Sequence, residues 1–220
     1  KIKEKKFNAA ISDLNEAHKL CPDSWEIIYN LGNAYLKSGN YQSAQHQYEK
    51  ALKLNKTNVQ LLCNKGIASE RLGAFSKAAA AYKKALVLDP KNHPAAYNYS
   101  LLMLKLGFYE KGWDLYENRW ETPEFTTAKR QFNVPLWQGD YDLTDKKILC
   151  HAEQGLGDNL QFLRYAQALK DQGINISLCA LPRLHPLIRA AGIDLSPLTP
   201  EQANRVKDGY WSPLLSVPWH

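Results

Sequence analysis

The chain has little cysteine, and none of it is spaced for metal. Cys21, Cys63, Cys150 and Cys179 form no C-x-x-C pair, which excludes the usual zinc sites and the dithiol redox motif. Cys63 and Cys150 stand in apolar segments, where a thiol reads as a small buried hydrophobe. A reducing, cytoplasmic setting fits. No apolar run reaches about 18 residues, so no membrane-spanning helix is expected, and no secretory leader is visible. The chain opens on Lys1 in place of methionine, which points to a segment of something longer. There is no Gly-Lys-Ser/Thr and hence no P-loop. The net charge of +6 is uneven: residues 1–120 carry 18 Lys/Arg against 11 Asp/Glu, and the remainder 10 against 11. This excess is scattered over predicted helices without an Arg-rich or aromatic-interleaved stripe, so a solvated surface is expected and not a nucleic-acid partner.

What the first half does have is a period. Shifted by 34 residues, Gly32 falls on Gly66, Gly39 on Gly73, Ala44 on Ala78, Tyr48 on Tyr82 and Ala51 on Ala85. This is the spacing and pattern of tetratricopeptide (TPR) repeats, each a pair of antiparallel helices. Small residues sit where helices press closest, and Leu31, Tyr35 and Tyr48 fill between them. Two full units run from about Trp25 to Asn58 and from Val59 to Asn92, with Pro90 where a helix should stop. Phe7, Ala10, Leu14, Ala17 and Pro22 match the second helix of an earlier repeat whose first helix is missing. That loss would leave apolar surface uncovered around Leu14, and stacked repeats need capping, so the natural protein is expected to extend upstream. His93 to Trp120 is a divergent third unit, with Ser100 and Gly112 replacing the expected glycine and alanine.

Asn30, Asn64 and Asn98 recur at the same spacing, at the sixth position of each first helix, and Asn33 lies one turn beyond Asn30. An amide both gives and accepts hydrogen bonds, which suits an extended peptide backbone. The arrangement resembles the asparagine ladder in the inner groove of the O-GlcNAc transferases; alternatively, asparagine is simply common there. The carboxylate clamp, which takes acidic C-terminal tails, would need lysines where Glu26, Gln60 and Pro94 stand, so such tails are not expected partners.

Residues 121–145 mix Thr, Pro, Gly and charge with little periodicity and read as a linker, pinned by Trp120 and Trp137. From residue 146 to 220 the pattern alternates. Strands are predicted at Ile148–Ala152, Ile174–Ala180, Ile193–Leu195 and Leu214–Val217, and helices at Asn159–Gln172 and Arg183–Ala191. Gly173 and Gly192 end the helices. Such alternation implies a parallel sheet with helical crossovers. The fold class is therefore an α-helical TPR solenoid over 1–120 followed by a partial α/β Rossmann-like parallel-sheet domain.

The stretch HAEQGLGDNLQFLRY, His151 to Tyr165, opens that domain as strand, glycine turn and helix. Phe162, Leu163, Ala166 and Leu169 share one helical face. Gly155 and Gly157 let the chain turn tightly and bring backbone N–H groups towards a ligand. Leu160 stands where the dinucleotide fingerprint needs its third glycine, and Asp158 would repel a pyrophosphate. His151-Ala152-Glu153 matches half of a zinc-deaminase motif whose cysteine half is missing. Asp158 has two readings: a cap on the helix or a general base at the mouth of a site. His151 reads as structural, and Arg164 and Tyr165 as anchors of the helix.

Taken together, EQGLGDNLQFLRY resembles the start of the catalytic domain in bacterial TPR-linked glycosyltransferases. These are similar to the heptosyltransferases and more distantly to the O-GlcNAc transferases, which share a two-domain (GT-B) fold. The run Gly112 to Trp120, with Leu136 to Gly139, resembles the junction in the same proteins. The resemblance implies Asp158 as catalytic base for an acceptor hydroxyl, with Gly155, Gly157 and Asn159 shaping the acceptor side and Glu153 and Gln154 beside it. It implies no metal and no other cofactor. A nucleotide-sugar donor is expected only for a full-length protein, because the second domain, which holds the donor, is absent and the fragment alone would be inactive. The sugar acceptor is unspecified. The alternative is a non-catalytic TPR scaffold that binds protein or peptide.

Overall fold

The structure, a computed structural model, describes residues 2–123, 125, 130–139, 142–153 and 155–219. The chain divides into two compact units, Lys1–Pro123 and Glu124–His220.

The first unit is helical: α1 (Ile2–Leu20), α2 (Trp25–Ser38), α3 (Tyr41–Leu54), α4 (Val59–Arg71), α5 (Phe75–Leu88), α6 (His93–Lys105) and α7 (Tyr109–Tyr116), then a 3-10 turn at Glu117–Glu121. Only a few residues separate successive helices, so each must double back on the last. Gly39, Gly73 and Gly107 close α2, α4 and α6 with φ of 86°, 74° and 84°. Only glycine adopts that left-handed turn without strain, which accounts for their recurrence. The start of each first helix is fixed by a second periodic set: Ser24, Asn58 and Asn92 accept a hydrogen bond from the N–H three residues on. A side-chain cap of this kind stabilises by about 1 kcal/mol.

A glycine and a tyrosine set how closely the two helices of a repeat approach. A Cβ at Gly32 would lie 2.6 Å from the Tyr48 ring, and one at Gly66 would lie 2.4 Å from the Tyr82 ring. Both rings are fully buried, each contributing about 2–3 kcal/mol of burial. In the third pair Ser100 takes the glycine position, and its hydroxyl bonds the Tyr97 carbonyl at 2.7 Å. The close approach moves to Gly112, where a Cβ would meet Leu104 at 2.6 Å. Arg119 then occupies the position of Ala51 and Ala85. It is fully buried between the Tyr116 and Trp120 rings and paired with Glu117. At the other end α1 packs on α2. Leu14 is half-buried there, so the bare surface expected around it is reduced to a partly covered one.

The second unit holds β1 (Lys147–His151), α8 (Leu156–Asp171), β2 (Asn175–Cys179), α9 (His185–Ala190), α10 (Pro200–Ala203) and β3 (Tyr210–Pro213). The three strands form a parallel sheet in the order β2-β1-β3. Each outer strand gains one further parallel bridge, Cys179 with Leu198 and Trp211 with Leu136. Pro135 to Trp137 thus run along β3, where the Pro135 carbonyl accepts from the Trp211 N–H at 2.9 Å and the Trp137 N–H donates to the Trp211 carbonyl at 2.8 Å. Phe162, Leu163 and Ala166 of α8 are buried and Leu169 half-buried. Gly173 and Gly192 are left-handed at the helix ends.

Two predicted strands are corrected. Ile193–Leu195 is not a strand: the Asp194 carboxylate folds back to accept from the N–H groups of Leu178 at 2.7 Å and Ser196 at 2.8 Å. Edge pairing with β2 comes later, at Leu198. The last strand is Tyr210–Pro213 and not Leu214–Val217, which is a turn running into a 3-10 helix. Pro213 argues against a strand interior, but a proline costs nothing at a strand's end. The sheet is parallel and small; a complete Rossmann-like domain is a larger claim than these strands carry.

Candidate functional site

In the first unit α2 touches α4 and α4 touches α6, while the second helices approach one another less closely. The layer whose helices stand closer is the inside of a curved stack, so the first helices line its inner face. On α2 the side chains of Asn30, Asn33 and Lys37 lie within about 60° of arc at 100° per residue. The same stripe carries Asn64, Ile67 and Arg71 on α4, and Asn98, Leu101 and Lys105 on α6.

The amide row is not uniform. Asn64 donates from Nδ2 to Asn33 Oδ1 at 2.8 Å and to Tyr29 Oη at 3.2 Å, and its Oδ1 accepts from Gln60 Nε2 at 3.2 Å. Tyr48 Oη donates to the same Asn33 oxygen at 2.8 Å. Asn33 and Asn64 are thereby committed to each other across the first repeat boundary. Asn30 is exposed and Asn98 half-buried, and neither side chain makes a hydrogen bond among the described residues. The outer rungs are open and the middle one is closed. Sequence reasoning found the row but missed this lock, because Tyr29 and Tyr48 become its partners only once the helices stack; Gln60, one turn before Asn64 on α4, is its one local partner. Sequence reasoning also missed Lys37, Arg71 and Lys105, the cations that end the stripe on each first helix; their 34-residue spacing is the signal that could have found them.

In the second unit the chain leaves β1 for β2 on one side and returns to β3 on the other. The carboxyl ends of β1 and β3 therefore flank a topological switch point, where open parallel sheets place their ligands. The glycine turn follows directly. Gly155 caps α8 with φ −56° and ψ 169°, a conformation open to any residue, and neither Gly155 nor Gly157 would bring a Cβ within 4 Å of other atoms. The fold itself does not require glycine at either position. Asp158 is the third residue of α8, not its cap, and is half-buried in the first turn, where its charge suits the helix dipole. Asn159 is 1% exposed, and its N–H makes the first helical bond to the Gly155 carbonyl at 3.2 Å. Glu153 Oε1 accepts from the Leu215 N–H at 3.3 Å, tying the strand ends together. Gln154 lies outside the described residues.

His151 is buried with its ring 5.4 Å from that of Phe132. Burial, then the positive charge of Arg130, pushes its pKa down to about 4, so it is neutral at pH 7. Arg164 is exposed and lies over the Tyr165 ring at 5.0 Å. Burial pushes the Cys150 thiol up to about 12 and the Cys63 and Cys179 thiols up to about 11. These three thiols are protonated and unreactive at neutral pH. A separate cleft of about 420 Å³ is lined by Trp137, Leu143, Tyr165, Leu169 and Val217, among others, and by none of the described residues from Glu153 to Asn159. No described helix is long and apolar enough to cross a membrane.

Comparisons with known proteins bear on the first unit. Family models of the tetratricopeptide repeat match residues 29–93 and 2–39. The BBSome complex member BBS4 of Mus musculus is 49% identical over 43 residues, covering 20% of this chain and 8% of that protein. Protein FlbA of Caulobacter vibrioides is 37% identical over 83 residues, covering 35% of this chain and 13% of that protein. The TPR domain of Arabidopsis OM64 is 32% identical with a TM-score of 0.44, covering 47% of this chain and 86% of that one. The chain thus spans under a sixth of these two curated relatives. It carries tetratricopeptide repeats.

Proposed function

We propose that the chain is a repeat scaffold whose first-helix face binds an extended segment of another protein, in the cytoplasm. The observation that carries this is the amide row, with Asn30 and Asn98 uncommitted on the inner layer. Repeat stacks use such concave faces for binding, and an uncommitted carboxamide satisfies a peptide N–H and C=O together. Selection of displayed random peptides on the purified chain, followed by calorimetric titration, tests the reading. Peptides that enrich should lose about tenfold in affinity when Asn30→Ala and Asn98→Ala are combined, on the order of 1.4 kcal/mol. Neither amide supports the fold, so the variant's stability should not change. Failure to enrich any peptide, or an unchanged affinity, would overturn it.

A second reading is favoured by the glycine turn. Two glycines with ordinary backbone angles and open space beside them, at the switch point of a parallel sheet, suit the close approach of a ligand. Combined with the resemblance of EQGLGDNLQFLRY to TPR-linked glycosyltransferases, this supports an acceptor-side half-domain. Asp158 would take the proton of an acceptor hydroxyl as its oxygen attacks the anomeric carbon of the donor sugar, whose bond to the nucleotide's phosphate oxygen breaks so that the nucleotide leaves with that bond's electron pair. A nucleotide-sugar donor would be held by a further domain of a longer protein. In such a protein Asp158→Asn should abolish transfer without altering the fold, and near-normal turnover would rule the role out.

A further inference from the structure

The stripe that carries the amide row also carries a cation at its far end on every first helix. Lys37, Arg71 and Lys105 are all exposed, at 34-residue spacing, in the last turns of α2, α4 and α6. A last-turn cation gains from the helix dipole wherever it points, so the dipole explains their position along the helix but not their shared direction. Lys105 is partly committed, 3.5 Å from Glu70 and over the Phe75 ring at 4.8 Å. Lys37 and Arg71 hold no ion pair among the described residues. The first helices carry Lys37, Lys65, Arg71 and Lys105 against only Glu26 and Glu70, and Lys65 is bound to Glu49 at 3.2 Å. Between the amides and the cations the middle row turns apolar, with Ile67 half-buried and Leu101 40% exposed.

From this juxtaposition we propose that the segment bound on the first-helix face is acidic, carrying side-chain carboxylates for Lys37 and Arg71 beside an apolar side chain for Ile67 and Leu101. The proposal rests on the peptide-binding reading above and adds the chemistry of the partner. It differs from capture of a terminal carboxylate, whose lysine positions are filled by Glu26, Gln60 and Pro94. Backbone contact to the amides fixes the segment, since an extended strand presents its peptide groups sideways and its side chains to alternate faces. The apolar contact supplies burial. The cations supply the discrimination: a carboxylate gains at Arg71 through a bidentate bond, and a lysine in its place is repelled.

Three labelled 12-residue peptides with amidated C-termini decide the matter by fluorescence anisotropy on the whole chain. One is built of Glu, Asp and Leu, the second has Gln and Asn for the acids, and the third has Lys. The acidic peptide should bind at least ~10-fold tighter than the neutral one, with the lysine peptide weakest, and should weaken as salt rises from about 50 to about 300 mM. Combining Lys37→Glu with Arg71→Glu should abolish that preference, and the milder Lys37→Gln with Arg71→Gln should reduce it. The pair Lys83→Glu and Lys84→Glu, exposed on α5, should leave it intact. Equal binding of all three peptides would overturn the inference while leaving peptide binding in place. Binding by none would remove both. An oligothymidylate bound as tightly as the acidic peptide would also overturn it, in favour of a general polyanion surface.

Discussion

Tyr48 and Tyr82 occupy the same place in successive repeats and are equally buried, yet only one hydroxyl is satisfied. Tyr48 donates to Asn33, and burial, with Tyr29 nearby, raises its pKa well above the ordinary tyrosine value. Ile67 stands where Asn33 would be in the next repeat, and the Tyr82 hydroxyl has no partner among the described residues. A buried hydroxyl without a partner costs about 1–3 kcal/mol, while a satisfied one contributes about 1. Tyr82→Phe should therefore leave stability unchanged or raise it by about 1 kcal/mol, and Tyr48→Phe should lower it by a similar amount. Urea denaturation of the two variants checks this, and equal effects would show that the Asn33 bond is without weight. The repeat period told from sequence that both tyrosines are core. It did not tell that their hydroxyls differ, because the partner lies on another helix.

At the scale of elements, the first helices α2, α4 and α6 were legible because three signals agree on each: period, glycine terminator and cap; α3 and α5 rest chiefly on the period. The short strands of the second unit were less so. A three-residue stretch such as Ile193–Leu195, apolar only at its two ends, carries too little pattern to separate a strand from a folded-back edge, and Asp194 decides it through bonds to Leu178 and Ser196. β1 was read to within one residue, since Ile148, Leu149 and Cys150 form a continuous buried run. At its end His151 makes the second unit sensitive to acid. The unfolded imidazole titrates near 6.5 and the folded one near 4, so between these values the unfolded chain holds the extra proton. Stability is then fully present above about pH 6.5 and is lost as pH falls towards 4, by ~3 kcal/mol. His151→Gln should remove that part of the slope. Urea midpoints at pH 7 and pH 4.5, compared between the parent and the variant, measure it, and parallel losses in both would place the acid sensitivity elsewhere.

For the whole molecule, the two units were not equally readable for function. In the repeats the amide row follows from arithmetic on the sequence, a 34-residue period laid on a helical stripe, while the apolar and cationic rows beside it were added by the structure. The lock between Asn33 and Asn64 modifies the result without moving it. In the second unit the glycine turn was found, and its place at the end of β1 was expected. Two things were not legible there. The switch point depends on β3, whose strand was misplaced, and the Glu153 bond to Leu215 joins residues far apart in the chain.

Hydrogen exchange of the whole chain, with and without a saturating selected peptide, tests the central claim most directly. Binding on the inner layer should slow exchange in α2, α4 and α6 and leave α3, α5 and the strands of the second unit unchanged. Protection on the second helices, or in the second unit alone, would contradict the assignment of the binding face.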